Sequence, residues 1–303
     1  MFTPYLGRFT ELIWQLLVTI KSEPKYDMLT TVAIKFLTTI SSKQMNSHLF
    51  TDETLRQIIE QIIVPNLIAT DNDEELFQDN PSDYIRKDIE GSDQDTRRRS
   101  ACDLVRSLLK YFQEKTSNLC VSYINGLLSE YQKSGYTNWK LKDGALHLVL
   151  AVSILSTSIS QGAGTLNPNV NILEIFNTHV LPELHDLNVS DRPIVKADAI
   201  KLICTFRSHF PKQFLLELLP HLTRYLSSES IVVQTYAALC IEKFMTVKEE
   251  SGELRLGKDA ILPILNPLFS SLFPVLENED LPENDYVMKC IMRLLSVVGS
   301  DIT

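Results

Sequence analysis

The sequence predicts an all-α chain of stacked helical hairpins, and three observations carry that expectation. Between Pro211 and Met245, Phe214, Leu215, Leu218, Leu219, Leu222, Tyr225 and Leu226 step by three and four, the spacing that places side chains on one helical face. Ser227, Ser228, Glu229 and Ser230 interrupt, and Val233, Ala237, Cys240, Ile241 and Phe244 resume the spacing in a second helix. Secondly, the unit repeats. Pro182, Pro220 and Pro274 precede Val195, Val233 and Val287 by one constant interval, and the step from the second unit to the third is lengthened by an insertion. Ala145, Ala199 and Ala237 fall into the same register. Thirdly, glycine is scarce, with 10 residues in 303, and alternating β-branched residues are rare. A two-helix unit repeating roughly every 40 residues is the HEAT or armadillo arrangement, in which no hairpin buries its apolar faces without neighbours.

Composition fits one extended array. At 44% hydrophobic and 22% charged, the chain is globular in character. No shift in composition divides it, so residues 1–303 read as a single solenoid segment with insertions near 71–95 and 247–259. A net charge of −9 argues against general nucleic-acid binding, which depends on phosphate neutralisation, and suits a protein partner with a basic surface. No apolar run reads as a membrane span, and the first residues lack the layout of a signal peptide. Cys102, Cys120, Cys204, Cys240 and Cys290 form no CxxC pair and read as reduced thiols, at least four of them buried in helices.

In chain order, six hairpins are expected. Residues 2–20 and 26–40 make the first. Thr51 to Ile68 opens the second, but the interval from Pro65 to its matching position, Arg98, is far longer than the one from Pro220 to Val233. The extra stretch begins acidic (Asp71, Asp73, Glu74, Glu75) and turns mixed at Tyr84-Ile85-Arg86-Lys87-Asp88. Ser92-Asp93-Gln94-Asp95 reads as a helix start, with acids favouring the positive helix end. Thr96-Arg97-Arg98-Arg99 follows, and the apolar pattern runs on through Leu109. Leu119 to Tyr131 pairs with Leu141 to Leu155, with Trp139 in the connecting loop, and Gln161 to Asn171 is a further loop. Ile172 to Leu187 with Val195 to Phe210, Pro211 to Met245, and Ile261 to Val298 complete the set. The first hairpin (Phe9, Ile13, Trp14, Leu17) and the last (Ile291, Leu294, Leu295, Val298) are as apolar as the inner ones, and each is expected to present a surface to a neighbouring repeat.

No catalytic or cofactor signature is present. Gly162-Ala163-Gly164 follows a helix instead of a strand, so it is no phosphate or dinucleotide loop. His179 and His185 are six apart, off the shared helical face a zinc pair needs. No nucleophile motif occurs. The catalytic, cofactor-binding and metal expectations are therefore all "none". The arginine run stays open between two readings: a basic patch for an acidic segment or phosphate, or a ladder of ion pairs with Asp93, Asp95 and the acids of adjacent units. The insertion is expected to be partly ordered from Leu76 to Asp95 and to contact a partner, because stacking does not require it.

The run from Tyr84 to Arg99, YIRKDIEGSDQDTRRR, resembles the importin-α re-exporter family, the cellular apoptosis susceptibility proteins of the importin-β (karyopherin-β) superfamily. Lys25-Tyr26-Asp27, Ile63-Val64-Pro65-Asn66, Asn138-Trp139-Lys140, the stretch 194–198, Glu229 to Val233, Thr235 to Ala238, Asn284 to Lys289 and Ile291 to Arg293 agree in the same order. The resemblance covers only the middle of the family, so the chain reads as an internal segment. It implies a HEAT solenoid and non-enzymatic nuclear export: binding importin-α together with the GTP form of the small GTPase Ran, and shuttling between nucleus and cytoplasm. Nuclear pore proteins are further partners it leaves open; nucleic acid and membrane insertion are not among its expectations. Tyr84, Arg86, Lys87, Asp88, Arg97, Arg98 and Arg99 are the partner-binding candidates. The alternative function is a generic HEAT scaffold with another client.

Overall fold

The computed structural model describes residues 5–20, 23–90, 96–158, 161–186, 188, 190–277 and 283–299. The chain falls into two compact units, Met1–Leu155 with Asn167–Asn171, and Ser156–Leu166 with Ile172–Thr303. Each contains three helical hairpins among the described residues.

In the first unit, α1 (Leu6–Thr19) pairs with α2 (Asp27–Ser41). Helix α3 comprises Asp52–Ile58, a π turn at Ile59–Ile63 and Val64–Leu67. The π turn has a local cause. Pro65 lacks the N–H that would reach back four residues, and the turn closes instead through Val64 N–H to the Ile59 carbonyl. Helices α4 (Asp71–Asp79) and α5 (Pro81–Ile85, with a π turn Arg86–Glu90) follow. Helix α6 runs from Arg97 to Lys133, with one residue, Phe112 (φ −131°, ψ 37°), off helical geometry. The two helices expected at 97–109 and 119–131 are thus one rod kinked at Phe112. Its first half packs on α2, where the Ser107 hydroxyl donates to the Thr38 carbonyl at 2.9 Å. Its second half lies along α7 (Trp139–Ser153); Trp139 opens that helix and is not part of the loop.

The second unit begins with a two-residue ribbon, β1 (Thr157–Ser158) antiparallel to β2 (Gly162–Ala163), inside and just before the stretch expected to be loop. Gly162 has φ +85°, and an added Cβ would lie 2.3 Å from the Thr205 carbonyl oxygen, so a larger residue meets both strain and a clash. Helix α8 comprises Ile172–Ile175, a π turn Phe176–Val180 and Leu181–His185. Here again a proline, Pro182, follows the π bond, from Leu181 N–H to the Phe176 carbonyl. Helices α9 (Pro193–Phe206), α10 (Lys212–Tyr225) and α11 (Ile231–Phe244) continue the array. Helix α12 is a broken rod, Lys258–Ile261, Leu262–Ile264 and Leu265–Glu277, before α13 (Asp285–Val298).

The repeat read from the sequence is physical here. Val195, Val233 and Val287 each stand third in their helices and are fully buried; Ala145, Ala199 and Ala237 each stand seventh and are likewise buried. Second helices α9, α11 and α13 pack in sequence as one layer, while first helices α8, α10 and α12 form the other. Ser230 caps α11 by accepting from the Val233 N–H, the usual service of a serine at that position.

Further expectations are refined. The insertion near 71–95 is helical through residue 90, with Phe77, Tyr84 and Ile85 buried beneath it; residues 91–95, including Asp93 and Asp95, lie outside the described residues. The cap of α6 is Thr96, whose hydroxyl accepts from the Arg99 N–H at 3.1 Å, not Ser92. Among the described residues one helix, Lys258–Glu277, does have the length and apolar composition of a membrane span. Its Ile261, Leu265, Leu268 and Leu272 are buried against α10 and α13, while most of the apolar stretch, including Leu262 and Phe273, lies open. Finally, in the last hairpin Ile291, Leu294 and Val298 are buried, whereas Leu295 is exposed; in the first, Leu17 is buried and Phe9 exposed. The insertion at 247–259 is a tight reversal closed by a bridge between Lys248 and Leu254.

Candidate partner-binding cleft

The inserted segment is folded by short-range chemistry. Thr70 and Asp73 form a reciprocal capping box: the Asp73 carboxylate accepts from the Thr70 N–H at 2.8 Å and the Thr70 hydroxyl accepts from the Asp73 N–H at 3.2 Å. Asp71, Asp73 and Glu74 occupy the first turn, where the helix dipole favours them. Asn80 caps the next helix by accepting from the Asp83 N–H. The Phe77 and Tyr84 rings meet edge to face at 4.9 Å, which fastens α4 to α5.

Long-range polar contacts then tie this cap to the hairpins below. Lys140 pairs with Asp71 and, at 3.4 Å, with Glu74; that ammonium holds the Asp71 carboxyl below its usual range, and Asp71 in turn raises Lys140. At the centre is Asp143, with a fully buried side chain. Its Oδ2 accepts from Arg98 Nη2 at 2.7 Å and from the Ala69 N–H at 3.2 Å. His147 Nδ1 donates to the Asp143 carbonyl at 3.0 Å, which leaves Nε2 to accept from Arg98 Nη1 at 3.3 Å, since the bond at one ring nitrogen sets the role of the other. Gly144 permits this closeness, since an added Cβ would meet Ile68 Cγ1 at 2.9 Å. Arg97 reaches the other way, pairing with Asp27 of α2 and donating to the Glu23 carbonyl at 3.0 Å.

These elements enclose a cleft of about 220 Å³, walled by Asp27, Asn66, Asp73, Lys87, Asp88, Arg97 and Arg98, among others. Its cations are matched by carboxylates, so it offers paired polar contacts to a protein surface and lacks the single-sign field that draws phosphate chains.

The sequence-predicted residues separate accordingly. Arg97 and Arg98 are mostly buried, with side chains 11% and 16% exposed; each bridges two hairpins. The ladder reading thus holds for Arg98 in kind, although its partner is Asp143 within a helix, not a loop acid. Tyr84 is largely buried against Phe77 and lines the cleft with the remaining edge of its ring. Lys87 and Asp88 are half-buried on the wall. Arg86 is exposed and leans on Asp83 at 3.3 Å. Arg99 is exposed at the mouth of α6. Sequence reasoning missed Asp27, Lys140, Asp143 and His147. A signal existed for the last two: an acid and a histidine four apart inside the otherwise apolar stretch 143–152, where unpaired polar groups are costly.

The sequence profile of the family described as Cse1 matches residues 1–241, and that described as CAS/CSE protein, C-terminus, matches 242–303. The chain belongs to the Cse1 family. It is 44% identical over 302 residues to Exportin-2 of Xenopus laevis and 43% identical over 302 residues to Exportin-2 of Homo sapiens. Each match covers 99% of this chain and 31% of the relative. Among solved structures, the exportin Cse1 in its cargo-free, cytoplasmic state superposes with a TM-score of 0.86 at 31% identity, over 99% of this chain and 32% of that one. The fold class of this Cse1-family chain is accordingly the all-α HEAT-repeat array. It spans about a third of the length of the relatives it matches.

Proposed function

We propose that this chain serves as a segment of a nuclear export receptor that returns importin-α from the nucleus to the cytoplasm in company with the GTP form of Ran, and hydrolyses nothing itself. The observation that carries this reading is the match to Exportin-2 across 99% of the chain at 43% to 44% identity. At that level a shared fold normally extends to shared recognition surfaces. Within the segment, the 71–90 cap with Arg86, Lys87, Asp88 and Arg99 is the partner-facing candidate, and Arg97 and Arg98 are its internal supports. The relative placement of fixed cations and acids suits a protein surface. Shuttling between nucleus and cytoplasm follows from the same reading.

A chimera tests it. Residues 1–303 replace the matching third of the Xenopus Exportin-2, and importin-α is used as bait with Ran loaded with a non-hydrolysable GTP analogue or with GDP. Capture of the chimera in the GTP-analogue arm alone is the expected result. No capture in either arm, with the unaltered relative captured normally, overturns the reading.

A further inference from the structure

A second surface lies on α11 and α13 of the second unit. Leu239, Glu242, Lys243, Tyr286, Lys289 and Arg293 line a groove of about 380 Å³, continued by Met292 and Ser296. Among the described residues its single carboxylate, Glu242, is buried and already engaged, by Lys243 at 2.8 Å and by Arg293 Nε at 3.3 Å. Three cations therefore face one acid in a chain whose net charge is −9. Lys289 has a loose i, i+4 contact at 3.9 Å with Asp285, which is itself largely exposed, and its ammonium lies 5.2 Å from the Tyr286 ring centroid.

The excess is not a general feature of the repeat. Lys289 and Arg293 are the fifth and ninth residues of α13; the same positions are Thr235 and Leu239 in α11, and Ala197 and Lys201 in α9. Neither cation is needed to bury the core, because the packing row of α13 is Val287, Cys290, Ile291 and Leu294. Both long side chains remain open, at 62% and 45% exposure, and Met292, at 60%, sets an apolar side chain beside them.

We propose that this groove docks an acidic peptide segment of a protein partner, two of whose carboxylates engage Lys289 and Arg293 while an apolar side chain between them rests on Leu239 and Met292. Charge complementarity selects the occupant. Burial of Glu242 fixes the guanidinium of Arg293 in place, so its outward N–H groups are oriented before the ligand arrives. The inference deepens the export-receptor reading, since it assigns that receptor a second contact.

The test is fluorescence anisotropy on the full 303-residue chain, with a fluorescein-labelled decapeptide of glutamates carrying one central leucine, and an all-lysine decapeptide as control. Saturable binding of the acidic peptide is expected, weakening as salt rises and weakened about tenfold or more by the K289E/R293E double substitution, as rim and groove charges reversed in sign should do. K289A alone, on a side chain exposed in the fold, should weaken it less while leaving the helical circular dichroism unchanged. Absence of binding, equal binding of the lysine peptide, or unchanged affinity in both variants overturns the proposal. The chimera experiment above is read independently: capture of the chimera without peptide binding rejects this groove but not export, and the converse rejects export alone.

Discussion

The second and fifth hairpins carry the same architectural unit to different ends. In the fifth, a short turn carries the chain from α10 and its Pro220 to Val233, and that third residue of α11 is a fully buried valine. In the second, the chain leaves Pro65, builds α4 and α5, and returns at Thr96; the third residue of α6 is Arg99, one beyond the Arg98 expected from the sequence, and it is exposed to solvent. The first case shows what stacking demands: an apolar side chain at the start of the second helix and a connection no longer than the turn. The second shows what an insertion requires. A charged helix start is secured by a buried ion pair from Arg98 to Asp143 and a half-exposed one from Arg97 to Asp27.

The largest effect expected from that difference is at the two third positions. Val233→Asp places an unpaired charge in the core and should cost about 4 kcal/mol or more of unfolding free energy, whereas Arg99→Asp should stay within about 0.5 kcal/mol. Urea denaturation of both variants checks this, and comparable losses would erase the distinction.

Next comes the support beneath the insertion. Asp143→Ala strands the mostly buried Arg98 guanidinium and the Ala69 N–H, with an expected loss of about 3–5 kcal/mol. If denaturation shows less than about 1 kcal/mol, the well-solvated limit for ion pairs applies instead, and the cap does not depend on this bridge.

A smaller effect belongs to the fourth and fifth hairpins. The His221 ring lies 4.7 Å from that of His185, and burial, with His185 and Arg224 nearby, holds it below the usual histidine value of 6.5. The unfolded chain therefore takes up the proton first. Stability from this site is present above pH 6.5 and is lost as the pH falls through and below that value. His221→Phe should flatten the slope between about pH 7 and 5.5 in thermal melts; an unaltered slope assigns it to other groups.

Most of the helical plan could be read from the residues because apolar spacing and burial are two views of one periodicity. The seventh-position alanines and third-position valines show this most directly. The inserted cap resisted reading for a physical reason: its helices are short and polar, held by Thr70, Asp73 and Asn80 caps and one Phe77–Tyr84 contact, so they carry little periodic signal. Several adjacent side chains could have capped α6, and the two arginines that follow the Thr96 cap find their partners far along the chain. Those partners, Asp27 and Asp143, are 70 and 45 residues distant. The kink at Phe112 leaves no proline or glycine to mark it, and the ribbon at 157–163 is too short to show alternation.

The smallest expected change in stability accompanies the largest in recognition. R86E/K87E/R99E alters side chains that are exposed or half-buried, and should leave the unfolding midpoint nearly unmoved while weakening partner assembly. The most direct measurement replaces residues 71–95 of the chimeric receptor with a short glycine-serine linker. Assembly with importin-α and GTP-analogue-loaded Ran is then titrated against the intact chimera by sedimentation velocity. At least about a tenfold loss of assembly affinity is expected, some ~1.4 kcal/mol, with the helical content of the remaining hairpins retained. Equal affinity for the two proteins would make the cap a passive cover on a stacking repeat, against the role assigned to it here.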